Sequence, residues 1–389
     1  MKYRLVILVS HPIQYYAPLY RELVARDNID VHVVYLSDTG ANAYHDVNFG
    51  RTISWDIPLL DGYPHSILQP GIDLQGLSFI QKSSPGLKET LQNLSPDALL
   101  VYGYASRMNW EAVRWAAKNR TRVLYTSDSN ANNPRDRLKA CAKYFIVRKF
   151  FVNVDAFLCT SEANVEYVKR YGAPEKTIFR QPFSVDVSRF SAEAPDPESD
   201  REFDFIWAGK FMHRKRPQDF ILALDAVAKG SDVKINAVLA GDGPLLDSVK
   251  EMAIELPSNV RVQFAGFVNQ SAMPQMLQQA HAFAFTSESE PYGLIATEAA
   301  AAGLALIVAE GIGCVGDTVL AQPNVNALIY PPGNIDALSR AMLRLLTEKG
   351  TLIRMQQASR EIAQEHDIPS AAAVIEKAVC DVVTNSHRK

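Results

Sequence analysis

SESEPYGLIATEAAAAG, residues Ser287–Gly303, sets two carboxylates, Glu290 and Glu298, eight positions apart around Pro291-Tyr292-Gly293-Leu294. The apolar run Phe283–Thr286 just upstream reads as a buried strand. Ala296–Ala302 is strong helix-forming sequence, and Gly303 stands where a helix C-terminal glycine belongs. The segment therefore reads strand, tight loop, helix. Its helix would begin near Gly293-Leu294, presenting free backbone N–H groups and a partial positive charge. That arrangement suits an anion, usually a phosphate. Glu290 would stand in the loop and Glu298 about one turn into the helix. A carboxylate carries only acceptor lone pairs and can take both hydroxyls of a vicinal diol. One acid for a ribose, one for a second sugar and phosphates between them describe a nucleotide-sugar.

At this point the residues carry a resemblance. E-x7-E within E-P-Y-G-L-I-A-T-E-A-A-A-A-G resembles the donor-site motif of the retaining GT-B glycosyltransferases of glycosyltransferase family 4, the group 1 glycosyltransferases. The blander reading is two solvated glutamates on one side of a helix, and the flanking chain decides between them.

The 389 residues exceed one ordinary doubly wound domain and suit two. Hydrophobic content of 47% and charged content of 21% are those of a soluble globular protein. A net charge of −3 gives no pull toward nucleic acid, so none is expected as a partner. Cys141, Cys159, Cys314 and Cys380 are far apart, form no CxxC and read as reduced thiols, which suits the cytoplasm. Leu5–Val9 is too short for a signal peptide and reads as a first strand. Ala299–Ala309, the longest uncharged apolar run, contains Gly303 and cannot span a bilayer.

The first half, 1–188, reads as a Rossmann-like α/β domain. Leu5–Val9 and Ile29–Tyr35 are parallel strands around a helix over Pro18–Arg26. Between them runs His11-Pro12-Ile13-Gln14-Tyr15-Tyr16, which lacks glycine and so opens no dinucleotide fingerprint. Residues 38–90 are polar and irregular, and are assigned to the first half as a functional insertion. Strands at Ala98–Tyr102 and Arg122–Thr126 flank a helix over Asn109–Lys118. They end in Gly103-Tyr104-Ala105-Ser106 and Ser127-Asp128-Ser129-Asn130. Asp128 is the one carboxylate at such a strand end, an acceptor-hydroxyl partner or else a helix cap. A helix over Arg135–Asn153 sets Arg135, Arg137, Lys139, Lys143, Arg148 and Lys149 against one acid, Asp136. It reads either as a solvated amphipathic helix or as a basic face that lies on an anionic membrane. Ala156–Thr160, a helix over Ser161–Tyr171 and Thr177–Arg180 complete this half.

Residues 189–202, with the acidic Pro-rich Ser191–Asp200 at their centre, read as a linker. The pattern restarts with strand Phe203–Ala208, helix Pro217–Lys229 and strand Lys234–Ala240, and 203–366 reads as the second domain. The two final helices, Gly350–Glu365 and Pro369–Val383, exceed what that domain needs.

After Phe203–Ala208 comes Gly209-Lys210-Phe211-Met212-His213-Arg214-Lys215-Arg216-Pro217, which resembles the family's G-[RK]-x-x-x-x-K. Breaking a glycosyl–phosphate bond pushes negative charge onto the departing diphosphate, and fixed cations stabilise it. Arg214-Lys215-Arg216 could otherwise be a surface charge run. Gly241-Asp242-Gly243-Pro244 resembles the family's G-x-G-P, and Gly266-Phe267 closes the strand Val262–Gly266. Gly311-Ile312-Gly313-Cys314-Val315-Gly316 is a literal GxGxxG after the strand Leu304–Ala309. Only Ala327–Tyr330 looks like strand beyond it, so a dinucleotide reading fails for want of strands. Those glycines suit instead a close approach of backbone to the donor beside Glu290. Glu288-Ser289-Glu290 could be read as a metal pair, but Lys210, Lys215 and the helix start already neutralise a diphosphate.

The resemblance implies a GT-B fold: two Rossmann-like domains facing each other across a cleft, with the C-terminal helix, 367–389, crossing back to the N-terminal domain. It implies a retaining, metal-independent hexosyltransferase of cell-surface polysaccharide biosynthesis, using no cofactor and a UDP-sugar ahead of a GDP-sugar. Its acceptor would be a glycan, a lipid-linked sugar or a small molecule. Glu290, Lys210, Lys215 and Asp128 take the catalytic roles. Glu298, Gly293, Leu294, Gly209, Gly241, Gly266, Phe267 and Gly313 bind the donor. His11, Gln14, Tyr15 and Tyr104 lie on the acceptor side. The location expected is cytoplasmic and, if 135–153 is the membrane-facing helix of the two readings above, peripheral on the inner face of the cell membrane. A nucleotide-sugar epimerase of the same shape and a non-catalytic nucleotide-sugar-binding protein are the rival readings.

Overall fold

A computed structural model describes residues 2–46, 50–129 and 137–384. The chain forms two compact units. The first comprises Met1–Tyr44, Ile57–Phe183 and Ile368–Lys389, and the second His45–Asp56 and Ser184–Asp367.

In chain order the strands up to Arg180 are β1 (Tyr3–Val9), β2 (Ile29–Tyr35), β3 (Tyr44–Asp46), β4 (Arg51–Ile53), β5 (His65–Ile67), β6 (Ala98–Tyr102), β7 (Arg122–Thr126), β8 (Ala156–Cys159) and β9 (Ile178–Arg180). Seven of them form the first unit's sheet, ordered β5-β2-β1-β6-β7-β8-β9. β1 pairs in parallel with β2 on one side and β6 on the other. Leu5, Val6, Ile7 and Leu8 are wholly buried. Covering helices on both sheet faces make such parallel strands continuous apolar runs, which is why these strands can be read directly. The order reverses between β1 and β6, the switch point at which ligands bind in such sheets.

Local chemistry sets the helix ends. The Ser106 Oγ accepts the Asn109 N–H at 3.3 Å to open helix Arg107–Asn119. The Ser161 Oγ accepts from the Asn164 N–H at the start of Glu162–Arg170. The last helix, Ile368–Thr384, belongs to this first unit, as the crossing-back expectation requires. It buries Ala371, Ala372, Ile375 and Val379. Arg26 Nη2 donates to the Pro369 carbonyl at 2.8 Å and Asn28 Nδ2 to Glu376 at 2.9 Å.

The second unit repeats the design with β10 (Phe203–Ala208), β11 (Ile235–Ala240), β12 (Val260–Gly266), β13 (Ala280–Phe285), β14 (Ala305–Ala309) and β15 (Ala327–Tyr330). Their order is β12-β11-β10-β13-β14-β15, with its reversal between β10 and β13. Among the described residues β15 is the last strand, so Gly311–Gly316 follows β14 near the end of the sheet rather than opening it.

Two assignments differ from the sequence reading. Residues 38–90 do not stay together: β5 extends the first sheet by pairing with β2, while His45–Asp56 joins the second unit. The stretch 189–202 packs within the second unit instead of running free. Phe190 is wholly buried, and Arg201 donates to the Ala280 carbonyl at 2.7 Å and the Gly303 carbonyl at 3.1 Å. Of the basic helix 135–153, Arg135 and Asp136 lie outside the described residues, as does Asn130, and the helix spans Arg137–Phe151.

Candidate active site

The carboxyl ends of β10 and β13 bring the second unit's charges together. Helix Leu294–Ala301 starts at Gly293, whose φ of +95° favours glycine. A Cβ there would lie 2.3 Å from Cε1 of Phe285, so only glycine fits. Among the described residues no side chain caps this helix start. Its far end is a Schellman turn: the Leu304 N–H reaches the Ala299 carbonyl at 3.0 Å, and the Gly303 N–H reaches Ala300 at 2.9 Å.

Thr286, wholly buried at the end of β13, ties the two loops together. Its Oγ1 accepts from Trp207 Nε1 at 2.8 Å and lies 2.8 Å and 3.0 Å from the carbonyls of Lys215 and Arg216. The Glu288 N–H donates to the Arg214 carbonyl at 2.9 Å, and Arg214 Nη1 returns to the Ser289 carbonyl at 2.9 Å. This zipper sets Lys215 Nζ 2.6 Å and Arg214 Nη1 2.9 Å from Oε1 of Glu290. Lys215 is mostly buried, and that burial pulls its ammonium below the ordinary lysine value against the opposing pull of Glu290. Lys210 Nζ forms a 2.9 Å ion pair with Asp46. Its charge is felt at Lys215, as is that of Arg214.

Glu298 lies within the helix at 1% exposure, and its Oε1 meets no hydrogen-bond partner among the described residues. Burial pushes its carboxyl up to about 8, with the charge of Arg189 pulling the other way. A wholly buried carboxyl oxygen with nothing to accept from is costly, and such groups mark sites a ligand completes. Nearby, the Tyr292 hydroxyl lies 3.2 Å from Nδ1 of the buried His366, whose imidazole burial depresses to about 4.

The glycines of the loops have reasons of their own. A Cβ on Gly241 would lie 1.9 Å from the Gly209 carbonyl, and one on Gly243 2.8 Å from the Phe211 carbonyl. The Gly209 N–H reaches Ala240 at 3.0 Å and the Gly241 N–H reaches Gly266 at 2.7 Å, so the strand ends stay knitted beyond the sheet. Gly313 receives a different explanation from the sequence reading. Its missing Cβ makes room for the Pro291 carbonyl, 1.8 Å from where that atom would stand, so the close approach is to the chain itself.

In the first unit, the loops beside β1 and β6 are aromatic. The His11 Nδ1 lies 2.8 Å from the Ser10 hydroxyl, and burial, with the charge of Lys82, lowers its imidazole below the ordinary value. Gln14 and Tyr15 are half-buried, and Tyr15 stands at the N-cap of helix Tyr16–Val24. The Tyr104 hydroxyl accepts from Tyr167 at 3.1 Å. Asn109 Nδ2 holds the turn from inside, donating to the Tyr102 and Gly103 carbonyls at 2.8 Å each. Asp128 is exposed to solvent, yet surrounding protein raises its carboxyl above the usual range.

Of the residues read separately in the sequence, the second unit brings Lys215 onto Glu290 within reach of the charge of Lys210, while Gly293 and Leu294 open the helix that carries Glu298. Arg214 and Asp46 belong with them and were missed. Arg214 is hidden in a run of charges, and Asp46 stands 164 residues from its partner.

Two strand orders of this kind in one chain define the GT-B class of fold. The comparisons agree. The model described as "Glycosyltransferase Family 4" matches residues 14–189, and "Glycosyl transferases group 1" matches 189–362. An uncharacterized glycosyltransferase of Methanocaldococcus jannaschii is 26% identical over 58% of this chain and 57% of its own. A glycogen synthase of Mycobacterium tuberculosis is 26% identical over 52% of this chain and 48% of its own. The chain thus spans about half the length of these curated relatives. The crystal structure of Anabaena HepE in complex with UDP superposes with a TM-score of 0.71 at 16% identity, covering 98% of this chain and 100% of that one. In two successive halves, residues 14–362 thus match the models of family 4 and group 1 glycosyltransferases, and the fold is of the GT-B class.

Proposed function

We propose that the protein transfers a hexose-type sugar, with retention and without a metal, from a nucleoside diphosphate sugar to a glycan, lipid-linked or small-molecule acceptor. UDP-sugar stands ahead of GDP-sugar, a preference supported by the UDP and UDP-glucose named with the Anabaena structures. The observation that carries the reading is the group at the β10/β13 switch point: Lys210 and Lys215 beside an uncapped helix start, with the unsatisfied carboxyl of Glu298 inside that helix.

In this reading Glu298 accepts from the ribose hydroxyls, which supply the partner its Oε1 now lacks. The N–H groups at Gly293 and Leu294 and the ammonium groups of Lys210 and Lys215 hold the diphosphate. As the bond from the anomeric carbon to the phosphate oxygen lengthens, negative charge gathers on the leaving phosphate. The mostly buried Lys215 stabilises it more than an exposed lysine could. Glu290 then turns to hydroxyls of the transferred sugar. The acceptor hydroxyl attacks on the face the diphosphate leaves, and its proton passes to the departing phosphate. His11, Gln14, Tyr15, Tyr104 and Asp128 line the acceptor side at the carboxyl ends of the first sheet. An epimerase would use the donor alone, whereas the first unit's loops offer hydroxyls and an acid for a second substrate.

Helix Arg137–Phe151 supports a surface role. Val147, Phe150 and Phe151 face the core, while Phe145 is 65% and Ile146 52% exposed beside the exposed Arg148 and Lys149. Apolar side chains set among cations suit the interface of an anionic bilayer. Among the described residues no helix is long and apolar enough to cross a membrane.

The reading is tested by incubating the enzyme with UDP-glucose or GDP-mannose and a membrane glycolipid extract. Release of nucleoside diphosphate that needs acceptor, with the donor's anomeric configuration kept in the product's NMR coupling, is the expected result. Conversion of donor without acceptor would favour the epimerase. Flotation with phosphatidylglycerol vesicles but not with phosphatidylcholine vesicles is expected for the helix; equal recovery from both would end that part.

A further inference from the structure

The segment His45–Asp56 leaves the first half of the sequence to lie on the second unit, and its contacts follow a pattern. Asp46 pairs with Lys210 after β10. Arg51 Nη1 meets Asp242 after β11 at 3.1 Å, and its guanidinium lies 5.1 Å over the ring of Phe267 after β12. The Ser54 carbonyl accepts from Asn269 Nδ2 at 2.7 Å, and Asp56 accepts from the Ser271 N–H at 3.1 Å. The Trp55 ring lies 6.3 Å from that of Phe267, tilted to it by 48°. Every one of these partners stands at the carboxyl ends of β10, β11 and β12, the half of the sheet where ligands of such folds bind.

We propose that this segment is a specificity element of the donor site and that Asp46 stands in for the donor's diphosphate on Lys210 until a diphosphate displaces it. The inference rests on the donor reading given above. The Asp46 carboxylate is 14% exposed and the Lys210 ammonium 28% exposed, so both are largely withdrawn from water. In such a place a second anion brought to the same ammonium meets repulsion that solvent does not screen away. An uncharged nucleoside has nothing with which to displace the aspartate. A nucleoside diphosphate does, because it brings two phosphates that Lys215 and the helix start also attract. The anchors at Arg51, Ser54 and Asp56 are independent of Asp46, so the rest of the segment keeps its seat when that pair opens.

The test is calorimetric titration of UDP and uridine into the full chain and two variants. Asp46→Asn is expected to bind UDP at least threefold more tightly and uridine with unchanged affinity. Lys210→Ala is expected to bind UDP at least tenfold more weakly. If Asp46→Asn binds UDP as the unaltered protein does, or more weakly, while Lys210→Ala is impaired, the competitor role is overturned and the donor site stands. If Lys210→Ala binds UDP normally, the donor reading itself fails, and this proposal with it. A second measurement needs no variant. Hydrogen exchange at His45 and Asp46 is expected to speed up with UDP while Leu294–Glu298 becomes protected. Protection at both would show that Asp46 stays in place, and would overturn the proposal.

Discussion

The two sheets share one strand order, yet their carboxyl ends are furnished differently. The second unit's loops hold charge in close pairs, Lys215 and Arg214 on Glu290 and Lys210 on Asp46, and their turns are fixed by glycines that tolerate no Cβ. The first unit's loops hold tyrosine hydroxyls, a histidine of lowered basicity and one exposed acid. In the proposed reading, one scaffold serves two kinds of ligand. Charge opposed to charge, in a place poor in water, suits an anion whose charge grows during reaction. Aromatic rings and hydroxyls suit a neutral molecule rich in hydroxyl groups.

The largest effect should come from the charged side. Lys215→Ala is expected to lower kcat by about 10²–10³-fold with a smaller change in donor KM, because the ammonium acts mainly on charge that develops in the transition state. Steady-state kinetics at saturating acceptor checks it, and a change confined to KM would make Lys215 an ordinary binding group. Next, Gly241→Ala is expected to cost about 3 kcal/mol of stability in urea unfolding, since its Cβ cannot avoid the Gly209 carbonyl.

Glu298 links the site to pH. Its folded-state carboxyl titrates near 8 against an ordinary value of 4.5, so the native state holds a proton that the unfolded chain has released. The stability this carboxyl contributes is then fully present below about 4.5 and is lost as pH rises from there through 8. Glu298→Gln should abolish that fall, narrowing the difference between pH 5 and pH 8 by on the order of 2 kcal/mol. Parallel pH profiles for the two proteins would mean the carboxyl is ionised in the empty site.

On the first unit, Asp128→Asn is expected to raise acceptor KM about tenfold, the loss of one charged hydrogen bond, with UDP affinity unchanged. A matching loss of UDP affinity would erase the division of labour between the two sheets. The smallest effect belongs to Gly86→Ala in the first unit. Gly86 has a negative φ and only the Ser84 hydroxyl 3.8 Å from a Cβ, so the change should stay within about 1 kcal/mol.

Much of the fold was legible because strands buried on both faces must be apolar throughout. β2, β6, β7, β10 and β15 coincide with the ranges read from the sequence. The segment His45–Asp56 was not legible. Its strands are three residues long and mostly polar, so neither period nor composition says that they pair with each other as a separate two-stranded sheet. The site divides in the same way. Lys210, Lys215, Glu290 and Glu298 stand at strand ends or beside a helix start, where local pattern speaks. Asp46 reaches Lys210 only through the path of the chain, and no spacing announces it. The full burial of Glu298 was likewise hidden, because an alanine-rich helix does not disclose which of its faces will be covered.

The most direct measurement is the thermal midpoint of the full chain with UDP, GDP and ADP, alone and after Glu298→Ala. A ligand held at 100 times its Kd adds about 2.7 kcal/mol, enough to move the midpoint visibly. The expected result is a rise with UDP that the variant loses. An unmoved midpoint with all three nucleotides, or an equal rise in the variant, would mean that no nucleotide sits on this helix.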